Sequence, residues 1–360
     1  MKHVLHVFAT FAPGGPQVRA AQLLARLGPG VRHTLVAMDG CYDALTRLPP
    51  GLEVRQLAPP PRAGFLRTGR EFAARLRQEA PDLLLTYNWG AIEALLGARL
   101  ARLRAVVHHE DGFGREEAER QLRRRVWARR LLLPGARALI VPSQVLAGIA
   151  STSWRQPAAR IRLLPNGVDL QSFRPTPRAP AVPLVVGSVA AFRGEKNQAM
   201  LLRAFAHSQQ AAHARLVLVG DGPERPACEQ LARELGIAAR VEFRGAVAAT
   251  APVYAGFDLF ALSSRTEQMP LVVLEAMACG LPIAAPTVGD VEAMVGARNR
   301  PFLVPFLEPE ALAVSLDALL ADAELRREIG VENRARCERE YELGACLDRY
   351  LAVYREVGGL

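Results

Sequence analysis

The chain has 360 residues, 50% of them hydrophobic, and 45 Lys and Arg against 36 Asp and Glu give a formal net charge of +9. That length holds two domains of ordinary size, and no apolar run reaches the ~18–20 residues of a membrane span. The cysteines Cys41, Cys228, Cys279, Cys337 and Cys346 are scattered and never form a CxxC, which argues against a disulfide framework and a zinc site.

Residues 1–12, MKHVLHVFATFA, are apolar but include His3, His6 and one basic residue, Lys2. They read as a first buried strand, not a signal peptide, and a cytoplasmic location is expected. Short apolar runs then alternate with helical stretches, the pattern of parallel βαβ units. The strand candidates of the first half are Val4–Phe8, His33–Ala37, Leu83–Thr86, Ala105–His108, Ala138–Val141 and Ile161–Leu164, with helices such as Arg67–Gln78 and Glu116–Leu133 between them. Residues 172–183, SFRPTPRAPAVP, contain four prolines and have a linker composition. After it the pattern restarts at Leu184–Val189, Arg215–Val219, Val241–Phe243, Leu259–Leu262 and Ile283–Ala285. The expectation is two doubly wound α/β domains, with ligands at the carboxyl ends of strands and the natural site in the cleft between the domains. Residues 1–175 hold 26 Lys and Arg against 13 Asp and Glu, and the remainder 19 against 23, so the first half is expected to meet an anionic partner.

The loops after strands carry the chemistry. APGGPQVRAAQLL (12–24) opens a helix after the first strand, and Gly14 and Gly15 remove side chains where the backbone turns or approaches an anion at the helix start; a plain tight turn reads almost equally well. VVHHEDGFG (106–114) gathers two histidines and two acids at a strand end, where His108 or His109 could bind or polarise a hydroxyl or simply be satisfied in a core. A metal there would lack a complete ligand set. GSVAAFRGEKNQAMLL (187–202) sets Arg193 and Lys196 before a helix, a diphosphate clamp or solvated loop charges; Lys196 gains weight as one of only two lysines. VGDGP (219–223) is a lone GxG, and no GxGxxG follows a strand, which counts against a nicotinamide or flavin enzyme. In RTEQMPLVVLEAMACGLP (265–282), Pro270 fits the first turn of a helix that runs to about Cys279. Glu267 then precedes the helix, and Glu275 lies in its second turn with Leu271, Leu274 and Met277 or Ala278 as the buried face. One carboxylate could hold a sugar's hydroxyls and the other a ribose, with phosphate at the helix N-terminus.

The pattern Glu267-x7-Glu275 followed by EAMACGLP resembles the signature of retaining glycosyltransferases of the GT-B fold, family 4. VPSQ (141–144), LLPNGVDLQSF (163–173), GEKN (194–197) and VGDGP occur in the same order as in that family. The resemblance implies two Rossmann-like domains facing a central cleft: an acceptor-binding domain at 1–174, a nucleotide-sugar-binding domain at 175–345, and a C-terminal helix at 346–360 crossing back to the first. It implies that Glu275 binds ribose, that Glu267 contacts the donor sugar and that Lys196 binds the diphosphate. Gln268, Met269, Pro270 and Leu271 would present the donor loop, Gly15 would sit near the diphosphate, and His109, or else His108, would touch the sugar near the reacting carbon. The implied chemistry is metal-independent transfer with retention from a nucleotide sugar, UDP- or GDP-linked, with no other cofactor. Three positions depart from the pattern. Ala191 stands where an arginine is usual, with Arg193 a possible substitute; Gln268–Met269 replaces Gly-Phe; and Gly289–Asp290 replaces Gly-Gly.

REEAERQLRRRVWARRLLL (115–133) reads as a basic amphipathic helix, either a solvated face or one that lies on an anionic membrane. Its candidates for acceptor or membrane contact are Arg123, Arg124, Arg125, Trp127, Arg129 and Arg130. This favours a glycan or lipid-linked acceptor and a peripheral place on the inner face of the cytoplasmic membrane, while no nucleic-acid motif appears. The alternatives are a non-catalytic binding or scaffold protein of the same fold and a sugar-nucleotide epimerase; a pyridoxal-type phosphorylase would need a cofactor lysine in the second domain, where Lys196 stands alone in a loop suited to phosphate.

Overall fold

The structure, a computed structural model, describes residues 1–61, 63–117, 120–176, 183–305 and 308–360. The proline-rich linker expected at 172–183 lies partly outside the described residues. The chain divides into two compact units, Met1–Asn166 with Ala345–Leu360, and Gly167–Gly344.

The first unit is built on seven parallel strands: β1 (Lys2–Phe8), β2 (Val31–Ala37), β3 (Val54–Gln56), β4 (Leu83–Tyr87), β5 (Val106–His109), β6 (Ala138–Val141) and β7 (Ile161–Leu163), in the order β3-β2-β1-β4-β5-β6-β7. Its helices are α1 (Gly15–Leu27), α2 (Phe65–Glu79), α3 (Ile92–Ala101), α4 (Arg123–Leu132) and α5 (Gln144–Thr152). The order reverses at β1, so the carboxyl ends of β1 and β4 flank a switch point of the kind that binds ligands in open α/β sheets. Strands β1, β4, β5 and β6 are buried almost throughout, as a parallel sheet covered on both faces requires.

The second unit has six parallel strands: β8 (Leu184–Val189), β9 (Ala214–Val219), β10 (Val241–Gly245), β11 (Leu259–Ala261), β12 (Ile283–Pro286) and β13 (Leu303–Val304), in the order β10-β9-β8-β11-β12-β13. Its helices are α6 (Gln198–His207), α7 (Arg225–Glu234), α8 (Ala251–Tyr254), α9 (Leu271–Ala278), α10 (Val291–Met294), α11 (Pro309–Ala321) and α12 (Ala323–Glu340). Two apolar clusters cover its two faces, one around Phe260, Leu274 and Ile283, the other around Leu201, Phe205 and Leu316. The final helix, α13 (Leu343–Gly358), returns the chain to the first unit, where Tyr350 and Tyr354 are buried.

The two strands that the apolar pattern does not reveal, β3 and β13, are edge strands of three and two residues; so short a segment shows no alternation. The helix expected over Glu116–Leu133 is shorter. A 3-10 turn spans Arg115–Glu117, residues 118–119 lie outside the described residues, and α4 starts at Arg123. The Glu117 carboxylate accepts the backbone N–H of Leu122 at 3.0 Å and so ends the loop at the helix mouth. No described helix is long and apolar enough to cross a membrane.

Candidate functional site

In the second unit, the loops that leave β8, β11 and β12 are bonded to one another. After β8, Arg193 opens a 3-10 turn, Gly194–Lys196, and left-handed Asn197 (φ 50°) joins it to α6. After β11, Ser263 Oγ donates to the Lys196 carbonyl at 2.9 Å and Arg265 N–H to the Glu195 carbonyl at 2.8 Å. The side chains then meet: Lys196 Nζ donates to Glu267 Oε1 at 2.6 Å, and Ser264 Oγ donates to the same oxygen at 2.7 Å. Lys196 keeps 27% of its side chain exposed and Glu267 11%, so the pair sits at the surface of the unit rather than in its core.

The β12 loop closes from the third side. Asp290 N–H donates to the Gln268 carbonyl at 2.8 Å. Gly289 has φ 55°, and a Cβ there would stand 2.3 Å from the Glu267 carbonyl oxygen. Only glycine fits both the dihedral and the approach. The glycines of VGDGP do similar work: a Cβ on Gly220 would meet the Ala190 carbonyl oxygen at 2.0 Å and one on Gly222 the Phe192 oxygen at 2.4 Å. They let the β9 loop pack on the β8 loop and hold Arg193 and Lys196 from behind.

Pro270 caps α9. Met269 packs into the apolar core, and Gln268 is buried. The buried face of α9 differs from the expected stripe: Val273, Leu274, Ala276, Met277 and Ala278 are buried, whereas Leu271 is only partly so. A helix packed almost all round has little amphipathic signature. Glu275 remains the polar residue of its second turn. Tyr254 Oη donates to Glu275 Oε2 at 2.7 Å. Burial pushes the Glu275 carboxyl up to about 7, against the opposing pull of that hydrogen bond.

In the first unit, Gly14 caps α1 with an extended φ of −170°, and Gly15 and Pro16 begin the helix. Gly14 is therefore not required by its dihedral; a Cβ would meet only the movable end of Gln17. The histidines differ from expectation. Neighbours on a strand point to opposite faces, and both faces of β5 are covered. His108 Nδ1 lies 2.7 Å from Thr86 Oγ1 and its Nε2 3.4 Å from Glu110. His109 stacks on Tyr87 at 4.4 Å. Its Nδ1 donates to the Thr86 carbonyl at 3.2 Å, which leaves Nε2 to accept from Tyr354 Oη at 2.8 Å. Burial, then the charge of Arg19, holds His109 well below its ordinary value, hence neutral. With no exposed surface and both ring nitrogens satisfied, neither His108 nor His109 is placed to touch a sugar.

The residue that reaches the carboxyl end of β5 is Asp111. Its Oδ1 lies 2.6 Å from Arg19 Nη2, its N–H donates to Asn88 Oδ1 at 2.6 Å, and Arg19 Nη1 donates to Asn166 Oδ1 at 2.8 Å. Four segments of the unit thus meet at one charged pair, with Tyr350 stacked 5.1 Å from the guanidinium. Arg19 alternates with Leu23 on the buried stripe of α1, and a cation on an apolar stripe is the signal that could have revealed it.

The basic candidates on α4 separate. Arg129 is buried, paired with Glu110 and Glu117 at 3.2 and 3.1 Å and enclosed by Trp154, Trp89 and Phe113. Arg125 pairs with Glu116 and Glu117. Neither can meet an anionic surface, because a carboxylate already compensates each. Arg130 Nε donates to the Ser153 carbonyl at 2.7 Å while its guanidinium covers Trp127. Arg123 and Arg124 are exposed, as is Trp127, at 66%.

Residues 13–172 match the family model described as Glycosyltransferase Family 4, and residues 182–322 the one described as Glycosyl transferases group 1. Among curated proteins, the chain is 32% identical over 232 residues to a D-inositol 3-phosphate glycosyltransferase of Segniliparus rotundus, a match covering 60% of this chain and 51% of that protein. It is 32% identical over 169 residues to N-acetyl-alpha-D-glucosaminyl L-malate synthase of Bacillus anthracis, covering 47% and 44%. The chain spans about half the length of the curated relatives it matches. Among solved structures, a sucrose-phosphate synthase from Thermosynechococcus elongatus superposes with a TM-score of 0.81 at 24% identity, covering 100% of both chains. Anabaena HepE in complex with UDP-glucose superposes with a TM-score of 0.80 at 19% identity, again over 100% of both. These likenesses establish the GT-B fold class.

Proposed function

The chain belongs to the family 4, group 1 glycosyltransferases, and from that premise we propose that it transfers a sugar, with retention, from a nucleotide-sugar donor to a glycan or lipid-linked acceptor. The observation that carries the reading is the meeting of Lys196 with Ser264 and Glu267, from two of three interlocked loops, with Glu275 half-buried on the helix that follows. An ammonium attracts a diphosphate. A carboxylate accepts two hydrogen bonds from a vicinal diol, so Glu275 takes the ribose and Glu267 the donor sugar. In the free protein Glu267 neutralises Lys196; the diphosphate competes for that ammonium and releases the carboxylate to the sugar hydroxyls. Arg193, exposed beside Lys196, supplies the second cation that Ala191 lacks, while Gln268 to Leu271 hold the donor loop in place. UDP is the first nucleotide to test, since HepE binds UDP-glucose, and GDP the second.

The acceptor hydroxyl attacks the anomeric carbon on the face from which the diphosphate departs. The carbon–oxygen bond to the diphosphate breaks, its electron pair stays on the phosphate oxygen, and that oxygen takes the acceptor proton. This route needs neither a metal nor a second carboxylate across the sugar, and the cations Lys196 and Arg193 stabilise the charge that develops on the leaving group. Trp127 with exposed Leu131, one turn apart on α4, and Arg123 and Arg124 beside them favour an acceptor presented at an anionic membrane surface, hence a peripheral protein on the cytoplasmic side.

The test is a thermal-shift panel of UDP, GDP, ADP and their sugar conjugates on wild type and Glu275→Ala. A nucleotide at 100 times its Kd stabilises by about 2.7 kcal/mol. A shift with one nucleotide, lost in the variant, supports the site, and an α-linked product from an α-linked donor supports retention. If no nucleotide shifts the transition, the non-catalytic reading replaces this one.

A further inference from the structure

Some cations of the first unit have carboxylate partners, Lys2 with Asp82 among them. Arg19 pairs with Asp111, Arg26 with Asp348, Arg55 with Glu79, Arg125 with Glu116 and Glu117, Arg129 with Glu110 and Glu117, and Arg162 with Glu356. Five of the cations without such a partner come together in one place. Arg99, Arg102, Arg104, Arg137 and Arg160 line one groove of about 530 Å3, a volume within the usual range of small-ligand sites. Among the described residues none of the five makes an ion pair. Arg99 donates to the Leu131 carbonyl at 3.2 Å and Arg160 to the Pro134 carbonyl at 2.6 Å; these bonds hold the two side chains and leave their charge uncompensated.

The topology explains the convergence. Arg104, Arg137 and Arg160 stand just before β5, β6 and β7, which are neighbours in the sheet. Parallel strands ~4.8 Å apart therefore bring three guanidinium-bearing positions side by side at the amino ends of the strands. Arg99 and Arg102 come from the last turn of α3 and its cap. Arg102 holds the left-handed cap conformation, φ 58°, which glycine adopts at less cost. This edge lies opposite the carboxyl ends that carry Asp111 and the loop before α1, so the groove is separate from the residues assigned to sugar transfer.

Five uncompensated arginines in one groove repel one another and offer paired N–H donors in the planar fork that matches phosphate oxygens. We propose that this groove binds clustered phosphate groups, two or more on one ligand or one surface, at a site distinct from the donor nucleotide's. The phosphates belong either to a soluble polyphosphorylated molecule or to lipid headgroups, and Leu100 and Leu131, exposed beside Arg99, flank the groove in either case.

The experiment uses the full chain with two probes, inorganic tripolyphosphate by calorimetry and vesicles of phosphatidylcholine with or without phosphatidic acid by co-sedimentation. The variant is Arg104→Glu with Arg137→Glu. A control of equal charge change, Arg67→Glu with Arg70→Glu, lies at the far end of α2. Far-UV circular dichroism and the urea midpoint verify that both remain folded. The expected result is binding by wild type and control that weakens with salt and falls at least tenfold in the groove variant. Binding of tripolyphosphate assigns a soluble ligand; binding of phosphatidic acid vesicles alone assigns a lipid headgroup. The proposal is overturned if wild type binds neither probe at low salt, if the groove variant binds as wild type does, or if the control loses as much, since net charge alone would then explain the attraction.

Discussion

Glu275 couples stability to binding. Its folded-state value of about 7 lies above the ~4.3 of a free glutamate. The folded protein therefore holds this proton more tightly than the unfolded chain, and the group's contribution worsens as pH rises from about 4.3 to 7. Above that window the whole cost is present, at most roughly 4 kcal/mol. Glu275→Gln keeps an acceptor for Tyr254 and removes the charge. The variant is expected to be more stable than wild type at pH 8 and nearly equal at pH 4.5, measured by urea unfolding at both. Nucleotide binding should run the other way, tightening in wild type between pH 6 and 8 as the carboxylate forms, and flat in the variant. Gly289 carries a second expectation at this scale. Gly289→Ala places a methyl against the Glu267 carbonyl at φ 55° and displaces the loop, so nucleotide affinity should fall at least tenfold (about 1.4 kcal/mol) while circular dichroism stays native.

The helix α4 shows how a basic sequence divides its labour once folded. Arg129 and Arg125 turn inward onto Glu110, Glu116 and Glu117, and aromatic rings enclose the Arg129 guanidinium. Removing one partner of a buried ion pair leaves the other uncompensated, at about 3–5 kcal/mol. Arg129→Ala should lower unfolding free energy by that amount, whereas Arg124→Ala, at an exposed position, should stay within about 0.5 kcal/mol; urea titration distinguishes them. In the sequence all seven arginines of residues 115–133 look alike, because helical spacing does not say which acids a later fold brings alongside. The strand interiors were legible: the apolar runs at Ala138–Val141 and Leu184–Val189 coincide with β6 and β8, since parallel strands buried on both faces are continuous apolar runs.

The two units differ in how the chain supplies them. Gly167–Gly344 is continuous, whereas the first unit needs Ala345–Leu360 from the far end of the sequence. From that segment come Tyr350 and Tyr354, which cover His109 and, with Tyr350 Oη donating to the Leu164 carbonyl at 2.8 Å, tie down the end of β7. Residues 167–344 expressed alone should unfold cooperatively and keep the nucleotide-induced thermal shift. Residues 1–166 alone lose two buried tyrosines, each a loss of about 3–5 kcal/mol by analogy with Phe→Ala in cores, and should show collapsed near-UV circular dichroism until a peptide of residues 343–360 is added.

The sequence by itself determined the alternation of strands and helices, the apolar strand interiors, and the family through the spacing of Glu267 and Glu275. All of these are local in the chain, set by periodicity and by residue types at fixed short spacing. Tertiary structure alone decided that His108 and His109 are core residues, that Asp111 pairs with Arg19, and that Arg99, Arg102, Arg104, Arg137 and Arg160 share one groove. Each of those depends on which strands become neighbours and which helix covers them, and burial and charge compensation arise from contacts between residues distant in sequence, such as His109 with Tyr354.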